Sequence, residues 1–206
     1  MENTQWFTWA QQLQAIAQCG LQYSENVFDR ERYEQIRALA LQMLAAHSDL
    51  PLERLQAIFA DEKGYTTPKV DVRGVVFREG KLLMVHELAD GLWTLPGGWV
   101  DILEPPSLAV EREVFEESGY RVKARKIAGV FDRNSHPHPP YLFHVYKLFI
   151  LCDYLDGSPT TSIETGGSGF FSLHDLPPLS TARTTLDELE LMFLHLADPA
   201  RPTDFD

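Results

Sequence analysis

Cysteine is scarce: the 206 residues hold two, Cys19 and Cys152, far apart and outside any CxxC spacing. That leaves no disulfide framework to read, and fits two buried thiols in a reducing compartment. Positive charge is scarce too. Eighteen Lys and Arg stand against thirty Asp and Glu, for a formal net charge of −12. A surface that binds long nucleic acid needs clustered Lys and Arg, so no such partner is expected. A small phosphorylated ligand stays open, because divalent cations screen the repulsion locally. No uncharged apolar run has the length of a membrane span, and no membrane partner is expected. The start, Met1-Glu2-Asn3-Thr4-Gln5-Trp6, has neither the basic region nor the apolar stretch of a signal peptide. The expected location is cytoplasmic.

What is present divides in two near Gly64-Tyr65-Thr66-Thr67-Pro68. Before it, apolar residues recur at helical steps. Trp6, Trp9, Ala10, Leu13, Ile16 and Ala17 make one face, and Tyr33, Ile36, Ala40, Met43 and Leu44 make a second, with Asp29 as its cap. Pro51 opens a third stretch along Leu52, Leu55, Ile58 and Phe59. Three short amphipathic helices bury little alone, so a small all-α domain over residues 1–64 should pack on something further, and a homodimer is expected. After the break, over 65–206, strands are predicted at Val70–Phe77, Leu82–His86, Val122–Phe131 and Tyr141–Leu151, with a turn at Glu79-Gly80. A helix over Pro106–Ser118 ends at Gly119, and a last one runs from about Thr185 to Leu196. The class is α+β, a mixed sheet flanked by helices.

The chemistry concentrates between Leu95 and Tyr120. Glu113, Glu116 and Glu117 stand at i, i+3 and i+4, so a helix puts three carboxylates on one face. Bare, they repel; a hard divalent cation removes the penalty, since Mg²⁺ is held by a few carboxylates and by substrate phosphates. Gly97-Gly98 lets backbone approach a ligand closely and supplies a carbonyl as a further oxygen donor. Arg112 is placed to pair with Glu104 and fix the loop on the helix.

From Gly98, five residues lead to Glu104 and seven more to Arg112, followed by Glu113, Val114, Glu116, Glu117 and Gly119. This segment resembles the Nudix box at every charged and glycine position. It departs at Tyr120, where the family more often has an aliphatic residue, and at Leu103, where many members have glycine. The resemblance implies an α/β/α sandwich around a mixed sheet. It also implies Mg²⁺ (with Mn²⁺ as a substitute) on Glu113, Glu116, Glu117 and the Gly97 carbonyl, while Gly98, Glu104 and Arg112 shape the box. The helical prelude, Lys69-Val70-Asp71-Val72-Arg73-Gly74 and Phe131 to Pro140 look like the subgroup that hydrolyses nucleoside diphosphates linked to another moiety, such as ADP-ribose or CDP-choline.

The expected reaction is water attack at phosphorus in a small nucleotide-derived substrate, giving a nucleoside monophosphate and a phosphorylated product. Glu113, Glu117 and Glu164 are the candidate general bases. Asp132, Arg133, His136, His138 and Lys147 are candidates for shaping the substrate site, with Arg133 and Lys147 meeting phosphates; His144 is read as lying within a strand. The alternatives are a Nudix hydrolase of nucleoside triphosphates or capped RNA, and a non-catalytic ligand sensor of the same fold.

Overall fold

The computed structural model describes residues 2–206, with side chains from Gln5 onward. By its internal contacts the chain forms two compact units. One takes in the chain up to Pro68 together with Pro140–His144; the other is Lys69–Pro139 with Val145–Asp206.

The first unit holds helices α1 (Glu2–Tyr23), α2 (Val27–Ala46) and α3 (Leu52–Ala60). Its core is Phe7, Ala10, Leu41, Leu44, Leu55 and Phe59, with Leu142 and Phe143 packed against it. The structure differs from two local expectations. Asn26, not Asp29, caps α2: its side chain accepts from the amides of Phe28 and Asp29, so the helix begins a turn earlier. The buried stripe of α1 runs through Phe7, Ala10, Gln14 and Ala17, leaving Trp6, Trp9 and Ile16 exposed. Large apolar residues therefore mark a face of α1 that its own unit does not cover.

The second unit is a mixed sheet between helices, as the α+β reading expected. Its strands are β1 (Lys69–Arg78), β2 (Lys81–Glu87), β3 (Trp93–Thr94), β4 (Tyr120–Asp132), β5 (Val145–Gly157), β6 (Thr165–Phe171) and β7 (Asp204–Phe205). The path runs β3-β2-β1-β5-β4-β7, and β6 pairs with β2. β1 lies parallel to β5, whereas β1–β2 and β4–β5 are antiparallel. Glu79 and Gly80, both at positive φ, make the tight turn between β1 and β2.

Side chains alternate across β1 and feed two cores. Val72 and Val76 join Ala109, Val110 and Val114 of helix α4 (Pro106–Ser118) on one face. Val75 joins Leu189 and Met192 of helix α5 (Leu186–Ala197) on the other. α4 ends where Gly119, at φ 78°, returns its N–H to the Phe115 carbonyl. α5 starts on a capping box made by Thr185 and Glu188. One strand is shorter than expected: β5 begins at Val145, so Tyr141 to His144 are not part of it and belong to the helical unit. The run Tyr-Leu-Phe-His has strand-like composition, but here Leu142 and Phe143 pack on a core made by helices.

Candidate active site

β2 leaves β1 soon after the turn, pairing with it only at Phe77–Leu82 and Arg78–Lys81. The remaining free edge of β1 is taken by residues 96–100. Gly74 N–H donates to Pro96 O at 2.8 Å, Val72 N–H to Gly98 O at 2.9 Å, and Val100 N–H to Val70 O at 3.1 Å. Gly97 sits at φ 145°, and a Cβ there would overlap the Val72 carbonyl, so only glycine lets the loop lie this close. At Gly98 a Cβ would stand 2.9 Å from Glu113 Oε1. The same loop receives the second carboxylate, since Gly97 N–H donates to Glu117 Oε2 at 2.9 Å. Glu113 and Glu117 thus converge on the two glycines, while Glu116 lies more exposed on the same helix.

Arg112 ties the carboxylates together. It grips Glu104 with two hydrogen bonds of 2.9 Å, and its Nη1 reaches Glu113 Oε1 at 2.9 Å and Glu116 Oε2 at 3.1 Å. Its hydrogen bonds hold the Glu104 carboxyl below the usual range. Burial pushes Glu113 up against the pull of Arg112. Burial pushes Glu117 further, to about 8, opposed by Arg73 and the Gly97 N–H and assisted by the fields of Glu113 and Glu87. Among the described residues no three His, Cys, Asp or Glu side chains are gathered closely enough to hold a metal ion as they stand. Arg112 draws Glu113 and Glu116 to itself, and Glu117 faces the loop amide. The donor set is still one that a hard divalent cation fits: carboxylate and carbonyl oxygens, two of the carboxyls burdened by burial.

Two further charged groups belong to this neighbourhood and were not singled out from the sequence. Arg73 is buried on β1, bound through Nε and Nη2 to Asp71 at 2.9 and 2.8 Å and through Nη1 to Leu95 O at 3.2 Å. Glu87 is buried at the end of β2, 3.3 Å from Arg183 Nε, and burial raises its carboxyl despite Arg183 and Arg73. Arg73 could have been noticed: Asp71 and Arg73 share one strand face in an otherwise apolar run, where unpaired charge is too costly to be incidental.

The expected substrate residues fall into two sets. Arg133 and Lys147 were expected to meet phosphates, but both are buried and hold protein atoms instead. Arg133 donates to Pro139 O at 2.8 Å and to Ala182 O at 3.1 Å. Lys147 Nζ lies 2.7 Å from Glu188 Oε1, 2.6 Å from Arg183 O and 3.1 Å from His138 Nε2. Burial lowers Lys147 to about 8. Burial opposes the Glu188 charge, yet the hydrogen bond of His138 and the charge of Lys147 bring that carboxyl down to about 2. The physical reason for the difference is register: Lys147 stands opposite Asp71 across β1 and β5, inside the layer under α5. His138 belongs to the same buried group, with Nδ1 donating to Thr181 O at 2.7 Å. The other set is nearer the surface. Asp132 caps the short turn Arg133–Ser135, and His136 Nε2 is 3.1 Å from Asp206 Oδ1. Glu164 is exposed before β6, where its field reaches Glu87, and His144 precedes β5.

Two stability outcomes follow from this geometry. Lys147→Met leaves Glu188 buried without its ammonium and should cost about 3–5 kcal/mol in urea unfolding, as broken buried pairs do; a loss below about 1 kcal/mol would contradict the pairing. The folded carboxyl of Glu188 is depressed from 4.5 to about 2, so its contribution is complete above pH 4.5 and is lost as pH falls towards 2. Glu188→Gln should flatten that acid slope. Gly97→Ala is expected to lower stability by more than about 1 kcal/mol, because both the backbone angle and the Val72 carbonyl oppose a side chain; unchanged thermal unfolding would contradict the close approach.

Residues 4–59 match the family model described as the UDP-X-like, N-terminal oligomerisation domain, and residues 67–190 match the NUDIX domain. The YjhB protein of Bacillus subtilis, provisionally named an ADP-ribose pyrophosphatase, is 45% identical over 204 residues, covering 99% of this chain and 98% of its own. The crystal structure of an ADP-ribose pyrophosphatase from Streptococcus suis aligns at a TM-score of 0.63 and 41% identity, covering 68% of this chain and all of its own. A crystal structure of UDP-X diphosphatase aligns at 0.64 and 30% identity over the whole of both chains. No helix among the described residues is long and apolar enough to cross a membrane.

Proposed function

Since the chain belongs to the Nudix family, we propose that it hydrolyses the diphosphate bond of a nucleoside diphosphate linked to a second moiety, with ADP-ribose, UDP-linked and CDP-choline compounds as the substrate class. The products are a nucleoside monophosphate and a phosphorylated second fragment. The carrying observation is the convergence of Glu113 and Glu117 on Gly97-Gly98, with every charged position of the box retained. The names of similar proteins supply ADP-ribose and UDP-linked compounds, and CDP-choline comes from the resemblance of the sequence.

In this reading Glu113, Glu116, Glu117 and the Gly97 carbonyl would hold a divalent cation, Mg²⁺ with Mn²⁺ as a substitute, which when bound neutralises charge on the diphosphate. Glu104 and Arg112 fix the loop on α4, and Arg112 also holds Glu113 and Glu116. Glu113, Glu117 and Glu164 remain the candidates to take the proton of the attacking water. Glu164 is the exposed member of the three, Glu117 the most buried. The fragments 1–64 and 65–206 serve as an assembling domain and a catalytic domain. Trp6, Trp9 and Ile16 then form part of a homodimer contact, consistent with the oligomerisation model matched there.

The test is phosphomonoester release from a panel of ADP-ribose, CDP-choline, UDP-sugars, dinucleotides and triphosphates, each with Mg²⁺ and with chelator. Metal-dependent turnover should concentrate on linked diphosphates and fall at least about a hundredfold in Glu117→Gln, the scale of losing an electrostatic catalytic group. Turnover that survives chelation or that substitution would overturn the reading. Protonation gives a second check. With its carboxyl raised from 4.5 to about 8, Glu117 is mostly neutral at pH 7. Cation binding should therefore release about one proton, read by calorimetry in two buffers of different ionisation enthalpy. The sign for stability runs the same way: the metal-free protein gains from Glu117 below pH 4.5 and loses that gain as pH rises through about 8.

A further inference from the structure

Three consecutive carbonyls hold the loop that leads into α5. Thr181 O accepts from His138 Nδ1 at 2.7 Å, Ala182 O from Arg133 Nη2 at 3.1 Å, and Arg183 O from Lys147 Nζ at 2.6 Å. From the other side, Ser180 N–H donates to Trp93 O at 2.8 Å, and Thr184 Oγ1 meets Thr94 Oγ1 at 2.8 Å. Thr184 Oγ1 also accepts from Leu95 N–H at 3.5 Å, next to the loop of residues 96–100. Every residue from 180 to 184 is therefore anchored, and the anchors are buried side chains or the strand that enters the box.

What this frame presents is the side chain of Arg183, which is 31% exposed. Its Nε lies 3.3 Å from Glu87 Oε1, and its Nη1 lies 3.1 Å from Asp90 Oδ2 and from Ser180 Oγ. Its Nη2 hydrogen-bonds to none of the described residues. Glu87, in turn, lies within the fields of Glu117, Arg73 and Glu164, so Arg183 borders the carboxylate site. The neighbouring cations are already engaged. Arg112 is held by three carboxylates, Arg73 by Asp71 and Leu95 O, and Arg133 and Lys147 by carbonyls and Glu188. A diphosphate approaching an acidic chain gains from a cation besides the metal. A guanidinium suits the task, since its planar fork matches phosphate oxygens and a rigid backbone keeps it in place. A simple ion-pair latch to Glu87 and Asp90 would need neither five anchored residues nor an unengaged Nη2.

We propose that Arg183 contacts the substrate's diphosphate and thereby sets affinity for linked nucleoside diphosphates. This assignment rests on the hydrolase reading above, and deepens it. Thr181, Ala182 and their buried donors act through Arg183 as positioning groups.

The test uses the full chain with Mg²⁺ and inorganic diphosphate as the probe, titrated into wild type, Arg183→Ala, Arg183→Lys and Arg121→Ala. Arg121 pairs with Asp156 on an exposed part of the sheet and removes the same charge at a remote place. KM and kcat are measured in parallel on the best substrate of the panel. Diphosphate affinity should fall at least tenfold in Arg183→Ala, less in Arg183→Lys and not at all in Arg121→Ala, with KM rising more than kcat falls. Thermal unfolding checks that Arg183→Ala folds; if it does not, Arg183→Lys carries the comparison, because it keeps the charge and loses only the fork. Affinities of both Arg183 variants within twofold of wild type overturn the proposal, and so does a wild type that does not bind the probe. Loss of probe binding in Arg183→Ala, with no turnover by wild type on any substrate, would leave Arg183 assigned and remove the hydrolase reading instead.

Discussion

The site depends on a short backbone ladder. Residues 96–100 lie along the part of β1 that β2 abandons, and three hydrogen bonds of 2.8–3.1 Å hold them there. A side chain at Gly97 would collide with β1 itself, so the ladder and the glycine require each other. Once the loop is in place, Gly97 N–H fixes Glu117 and the bare Cα of Gly98 admits Glu113. α4 must then approach the sheet closely, which its buried Ala109, Val110 and Val114 allow. The acidic face of the helix is therefore aimed by packing and backbone geometry, before any ligand contributes.

Charge is the second theme. A chain of net charge −12 gathers its carboxylates where an anionic substrate has to bind, an arrangement that is unfavourable unless cations are placed around it. The fold answers with three kinds of arginine. Arg112 restrains the box, Arg73 is buried beneath it with Asp71, and Arg183 reaches the edge from a loop braced by internal donors. The buried set of His138, Lys147 and Glu188 is support for that loop, an internal use of charge that burial alone would oppose and that the mutual pairing sustains.

Much of this was readable from residues alone, where the signal is local. α4 runs from Pro106 to Ser118 and stops at Gly119 because helix starts and stops are written in short-range chemistry. The Glu79-Gly80 turn and the three box glutamates are local in the same sense. Residues alone said less where tertiary context decides. Trp6 and Trp9 have helical spacing yet face outward, because periodicity locates a face without saying which face is covered. Tyr141 to His144 have strand composition but pack with helices. Lys147 and Arg133 have the chemistry of phosphate ligands, and only cross-strand register with Asp71 and the carbonyls of residues 182 and 183 shows them occupied. Glu87 and Arg183 carry no motif; they matter through what the fold sets beside them.

The most direct test of the account is to locate the cation. Crystals of the full chain grown or soaked with Mn²⁺ would be read by anomalous scattering, with Glu113→Gln and Glu117→Gln measured alongside. The account predicts Mn²⁺ bound by oxygens of Glu113, Glu116, Glu117 and the Gly97 carbonyl, and lost or weakened in both variants. Mn²⁺ bound elsewhere with these carboxylates still turned to Arg112 and the Gly97 amide, or binding undiminished by both substitutions, would contradict it.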